Sequence, residues 1–294
     1  MTVLPRVAGA IGRALLAATI ALAAAWPAAA QIKIGQTSSF TSPVAAGVKE
    51  GTDGAKLYLD AINERGGIDG QKIELISMDD RFDPKLAAEN AKALIEKGAV
   101  ALFFNRGTPQ TEAILPVLER YRVPLIAPST GAMLLHKPVH PWVFNVRATY
   151  QREADRAVRH LHLVGMTRIA LLQSDDSFGD DGAAGALAGF DAVKLKPVLH
   201  ERYSRAKPDF GPVGPKVVQS GAQAVVFVGA GTHVVDGLKA IRAALNTGNI
   251  DDAKALLSKT SSLVDKMAGK GIIHKNTAGR YKSRIAAKLK PKTA

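Results

Sequence analysis

The chain has 294 residues, no cysteine, 47% hydrophobic residues and a formal charge of +13. The length fits one to two domains of ~100–200 residues each, with enough apolar content for a core, and the missing cysteine excludes disulfides, thiolate metal sites and thiol nucleophiles. The charge is uneven: from Gly237 to Ala294 there are thirteen Lys+Arg against three Asp, a net +10, which leaves +3 for residues 1–236. A basic segment follows a nearly neutral body.

At the N-terminus, Arg6 and Arg13 form a positive region before a short apolar run, Ala14–Trp26, which is followed by the small residues Ala28, Ala29 and Ala30. These three regions predict a cleavable secretory signal over residues 1–30. The run is shorter than the ~20 residues that cross a bilayer, and no later stretch is long and apolar enough, so no membrane span is expected after cleavage. Strands and helices then alternate. Strand patterns are expected at Ile32–Thr37, Gln71–Met78, Ala99–Phe104 and Val123–Ala127, with helices at Val44–Arg65, Pro84–Lys97 and Thr108–Arg120 between them. Pro138–Tyr150 breaks the rhythm and is expected to cross between two lobes. A second series follows: helix Gln151–Val164, strand Arg168–Gln173, helix Asp180–Val193, strand Val198–Tyr203, helix Pro212–Ser220, strand Ala224–Val228 and a helix from Thr232. Regular alternation of this kind implies parallel sheets with helices on both faces.

The tail differs. Asn246 to Asn249 reads as a turn, and two helical stripes follow with no strand. One runs through Ala253, Leu256, Leu257, Thr260, Val264 and Met267; the other through Ala278, Tyr281, Ile285 and Leu289. An all-α helical-bundle tail is therefore expected after the α/β body.

Ligands of open parallel sheets bind at the loops that leave the strands' carboxyl ends. Three such loops are small and polar: Thr37–Ser42, which includes Ser39; Asn105–Thr108; and Pro128–Gly131, which includes Ser129 and Thr130. Hydroxyls and backbone N–H groups at helix starts suit a carboxylate, although Ser, Thr and Gly are also ordinary capping residues. Gly229-Ala230-Gly231 lacks the third glycine of a dinucleotide fingerprint, and neither a Gly-x-Ser-x-Gly elbow nor a metalloprotease helix occurs. His160 and His162 read as helix-surface residues. Neither an enzyme, a cofactor nor a metal is expected.

The run Gly66 to Leu75, with Asp79 and Asp80, Pro124–Gly131, and Asp175–Gly179, resembles the leucine/isoleucine/valine-type periplasmic binding proteins from about Gln31 to Ala244. That resemblance implies a periplasmic-binding-protein-like doubly wound lobe (31–145) and an incomplete second α/β lobe (146–240). It also implies a periplasmic, extracytoplasmic solute-binding component of an ABC transporter for branched-chain or related amino acids, with the permease as partner. Thr108, Ser129 and Thr130 would hold the carboxylate and ammonium of an amino-acid-like solute, and Phe178 would present an aromatic ring. Where many members place an acidic contact, this chain has His233. Members also complete the second lobe with further strands, so the sheet here is expected to expose an edge.

A second resemblance covers about Lys239–Leu289. Ala268–Arg284, with Ile273-His274-Lys275-Asn276 as its most specific run, is similar to the C-terminal part of bacterial small-subunit ribosomal protein twenty. It implies that residues 241–294 are a basic helical segment contacting 16S rRNA through Lys270, His274, Lys275, Asn276, Arg280, Lys282, Arg284 and Lys288. A location on the cytoplasmic ribosome is the alternative it brings. The chain thus reads as a fusion of two unrelated sequences.

Overall fold

A computed structural model describes residues 31–247 and, beyond them, Ser283, which is helical and exposed. The expected leader, the tail helices and the RNA-facing residues from Lys270 to Lys288 lie outside the described residues.

The first lobe begins with β1 (Ile32–Ser38), α1 (Ala45–Glu64), β2 (Ile73–Asp79) and α2 (Pro84–Glu96). It continues with β3 (Ala101–Phe103), α3 (Thr108–Tyr121), β4 (Leu125–Ile126), a short 3-10 turn (Met133–Leu135) and β5 (Val143–Phe144). Its five strands are all parallel in the order β2-β1-β3-β4-β5. Leu94 of α2 and Ile114 and Leu118 of α3 close over Leu102 and Leu125 of the sheet, all of them fully or almost fully buried. Burying each such side chain is worth roughly 1.5–3 kcal/mol. Asp83 starts α2 by accepting from the backbone N–H of Lys85 (2.7 Å), with Pro84 in the first turn.

The second lobe comprises α4 (Tyr150–Leu163), β6 (Ile169–Ser174), α5 (Ser177–Ala192), β7 (Leu199–Tyr203), α6 (Val213–Gln219), β8 (Ala224–Val228) and α7 (Thr232–Thr247). Its parallel sheet runs β7-β6-β8, with β6 buried along its whole length. As expected, the outer strands β7 and β8 each have one strand partner among the described residues. Ile241 of α7 is buried beside Phe210, Val213 and Val217.

Three expectations need correction. Pro138–Tyr150 is not purely a crossover, because Val143 and Phe144 add a fifth strand beside β4. A strand of two residues is too short to show a period. Helix α5 starts at Ser177 rather than Asp180. Asp176 caps it, its carboxylate accepting from Gly179 N at 3.0 Å, so a loop-like Ser-Phe-Gly is helical. Asn246 and Thr247 belong to α7 and not to a turn. The remaining elements agree with the sequence to within three residues at either end.

Helices α4 and α5 approach closely because α5 presents glycines to its neighbour. A Cβ on Gly185 would lie 2.3 Å from the Cα of Gln151, and one on Gly189 would lie 2.8 Å from the carbonyl oxygen of Asp155. Gly185→Val therefore forces the helices apart, at an expected loss of about 1–3 kcal/mol. Urea unfolding of the full chain checks this, with Ala188→Val at the neighbouring, outward position staying within about 0.5 kcal/mol of wild type.

Candidate functional site: the cleft between the lobes

In each sheet the chain starts on an inner strand and places its next strands on opposite sides of it. The crevices so formed lie beside β1 and β3 in the first sheet and beside β6 and β8 in the second. Ligands bind at such switch points. The two crevices face each other and share a cavity of about 230 Å³. Segments after all eight strands reach its wall, among them Val44, Phe82, Thr108, Ser129, Phe178 and Gly231.

The first-lobe loops are brought together as the sequence implied. Arg106 and Ser129 form a parallel backbone bridge, and Ser129 N donates to the Asn105 carbonyl at 2.7 Å. Thr108 and Thr130 join their hydroxyls at 2.8 Å. Thr108 and Ser129 line the cavity; Thr130 is fully buried behind them. Phe178 also lines it, edge-on to Tyr150 with ring centroids 5.0 Å apart. Ser39 is fully buried, its hydroxyl has no hydrogen-bond partner among the described residues, and it is not on the cavity wall.

The helix starts on the two sides are not equivalent. Helix α3 has Gly107 before it and no side-chain cap, so its first N–H groups are left for another acceptor. Helix α5 is already capped by Asp176, which also accepts from Ser174 Oγ at 2.7 Å and pairs with Arg205. An incoming anion therefore finds its open dipole in the first lobe.

Residues that cross between the lobes show how the cleft closes. The guanidinium of Arg205, after β7, lies 4.0 Å from the ring centroid of Phe82, after β2. Thr232 N donates to the Pro43 carbonyl at 3.2 Å. Gly231 has φ +58 and leaves no room for a side chain, since a Cβ would lie 2.0 Å from that same carbonyl oxygen. Near the crossover, Asp181 accepts from Met133 N and from Gln151 Nε2, both at 3.0 Å.

Sequence reasoning missed Phe82, Arg147, Tyr150 and Arg205, and named the loop of Arg106 without its side chain. Each lies within a few residues of a strand's carboxyl end, and that position was the available signal. His233 does not reach the cavity. It is buried edge-on to the Tyr203 ring at 5.8 Å, and burial, with Arg205 adding to it, holds its pKa below the usual value.

Similarity to known proteins follows the same outline. Residues 31–259 match the family described as Periplasmic binding protein. The chain belongs to that family. Among solved structures it resembles a substrate-binding periplasmic protein from Ralstonia solanacearum at 29% identity and a TM-score of 0.69, covering 72% of this chain and 61% of that one. It also resembles an extracellular ligand-binding receptor from Verminephrobacter eiseniae at 32% identity and a TM-score of 0.65, covering 73% and 62%. A second match, to Ribosomal protein S20, covers residues 233–290. There the chain is 47% identical over 57 residues to small ribosomal subunit protein bS20 of Koribacter versatilis, which is 19% of this chain and 64% of that protein. The chain thus joins two unrelated families, spans about three fifths of these relatives, and carries their overlap, residues 233–259, partly on α7.

The floor of the first-lobe loops holds two adjacent carboxylates with opposite fates. Burial works against ionisation of Asp79, but hydrogen bonds from Thr41 Oγ1 (2.6 Å), Arg81 N (3.0 Å) and Phe40 N (2.9 Å) outweigh it and lower its pKa. Asp80 is fully buried, and that burial, with repulsion from Asp79, pushes it up to about 6 despite the bond from Phe82 N (2.9 Å). From about pH 4 to about pH 6 the folded chain keeps a proton on Asp80 that the unfolded chain has released, so stability falls as pH rises. Asp79, whose folded pKa is lowered, contributes the opposite slope only at the acid end of that window, where the unfolded chain still holds part of its proton. Asp80→Asn keeps an acceptor for Phe82 N and should remove the fall, on the order of 1–3 kcal/mol, in urea titrations at about pH 4 and about pH 6.5.

Proposed function

We propose that residues 31–247 are the solute-binding part of an extracytoplasmic receptor for an ABC transporter, and that the solute is a small carboxylate of amino-acid size. The observation that carries this reading is the uncapped start of α3 opening into the interlobe cavity between Thr108 and Ser129. Two hydroxyls and free N–H groups at a helix start match a carboxylate's acceptors. The cavity volume suits a solute smaller than a drug-sized molecule. Membership of the periplasmic binding protein family supports the transport role, and the leader read at residues 1–30 supports export. Titration of the full chain with a panel of small carboxylic and amino acids, followed by thermal unfolding, tests it. At least one carboxylate should raise the midpoint, and Thr108→Val or Ser129→Ala should each weaken that solute by ~10-fold, as loss of a hydrogen bond to a charged group does. A wild-type midpoint unmoved by the whole panel counts against the receptor reading.

The match to Ribosomal protein S20 favours a second reading for residues 241–294: binding of 16S rRNA by Lys270, His274, Lys275, Asn276, Arg280, Lys282, Arg284 and Lys288. Export would separate this segment from ribosomes, so the reading applies to chain retained in the cytoplasm. Gel shifts of the full chain on small-subunit rRNA should show affinity falling steeply with salt. Combined Arg280→Glu, Lys282→Glu and Arg284→Glu should flatten the logarithmic slope by about two. A slope that these changes leave untouched argues for shared ancestry without RNA binding.

A further inference from the structure

The cleft carries an unbalanced charge, and the imbalance rests on one residue. Three arginines line the cavity, Arg106, Arg147 and Arg205, and among the described residues no Asp, Glu or Lys does. Two of the three are already answered. Arg147 donates to both carboxylate oxygens of Glu153, at 2.6 and 2.9 Å, and lies 4.7 Å from the centroid of the Tyr150 ring. Arg205 is paired with Asp176 and covered by Phe82. Arg106 has neither an ion pair nor a side-chain hydrogen bond to any of the described residues. Of its neighbours, Tyr150 favours its charged form and Arg147 repels it.

Arg106 is also held in position. It sits in the loop after β3, fixed by its backbone bridge to Ser129 and two residues ahead of the uncapped start of α3. Its guanidinium lies against α1, so closely that a Cβ on Gly47 would be 2.9 Å from a terminal nitrogen. Burial lowers its pKa, yet a guanidinium stays charged at any ordinary pH. A half-buried cation with no counter-ion is unfavourable until a ligand supplies the negative charge.

The same wall is hostile to a second positive charge. An α-ammonium in this cavity would meet the uncompensated charge of Arg106 and find no carboxylate among the described lining residues. His233 offers no substitute, being buried against Tyr203 and away from the cavity. The apolar part of the remaining wall, available to the body of the solute, is Val44, Ala230 and the rings of Phe82, Tyr150 and Phe178, with the Tyr150 hydroxyl and the backbone of Gly229 and Gly231 beside them.

We propose that this cleft selects small apolar carboxylates that carry no ammonium group, with Arg106 as the specificity-determining residue that pairs with the ligand's carboxylate. The inference rests on reading the cleft as a solute site and narrows its ligand. Arg106 discriminates in both directions: it attracts the carboxylate and, as the guanidinium without a counter-ion among the described residues, raises the cost of admitting an ammonium.

Matched ligand pairs test it on the full chain by calorimetry. Isocaproate is leucine without its ammonium, and hydrocinnamate is phenylalanine without its own. In at least one pair the deaminated acid should bind ~10-fold or more tightly than the amino acid. Arg106→Gln should weaken that acid by ~10–100-fold, the range for a hydrogen bond to a charged group. It should leave the already weak binding of the corresponding neutral amide unchanged. Arg106→Lys, which keeps the charge and loses the fork, should fall between the two. Thermal unfolding of each variant confirms that it is folded. Tighter binding of the amino acid in both pairs overturns the proposal and leaves the receptor reading standing. Equal losses for acid and amide in Arg106→Gln overturn the role of Arg106. Failure of wild type to bind any of the four overturns the proposal and leaves the receptor reading to the wider panel of carboxylates.

Discussion

Everything specific about this molecule follows from the direction of its strands. A parallel sheet buries both faces under helices, so the faces have no surface left for a ligand, and the loops at one edge take on that work. Here two such sheets turn those edges toward each other. Eight short segments, spread over some two hundred residues of sequence, thereby meet around one small cavity. The packed cores of the lobes serve chiefly to hold those segments still. Leu94, Ile114 and Leu118 over the first sheet, and the glycine-lined contact of α4 with α5 in the second lobe, fix where each strand ends.

The organisation was legible in the sequence because burial writes a period into it. The alternation of elements, the split into two series and the three polar loops were all visible as pattern. So was the meeting of Thr108 with Ser129, since the fold rule places both at carboxyl ends. What pattern could not show was partnership. Arg147 and Arg205 look like any surface arginine until Glu153 and Asp176 are seen beside them, and Arg106 looks like them until no such partner is found. The short strand at Val143 and the early start of α5 were missed for a related reason. Two residues have no period, and a cap formed by Asp176 overrides the weak helical preference of Ser-Phe-Gly.

The cleft divides its electrostatic roles between the lobes. The second lobe's helix start is satisfied internally by Asp176, which in turn orients Arg205 toward Phe82 across the gap. The first lobe leaves its helix start and one guanidinium open. One lobe therefore binds and the other covers. Asp79 and Asp80 beneath the binding loops show the same economy: one carboxylate is spent on fixing Phe40, Thr41 and Arg81, and its neighbour is left to burial.

The interlobe latch also sets a clock. Away from the crossover, the contacts described here are one backbone hydrogen bond, from Thr232 to Pro43, and one cation–π contact, from Arg205 to Phe82. Such contacts are each worth on the order of 1 kcal/mol, so contacts made by a solute to both lobes add strongly to what holds the cleft shut. The residence time of such a solute is then governed by its own contacts with both lobes, and a ligand that touches only one wall leaves at nearly the rate at which the empty cleft opens.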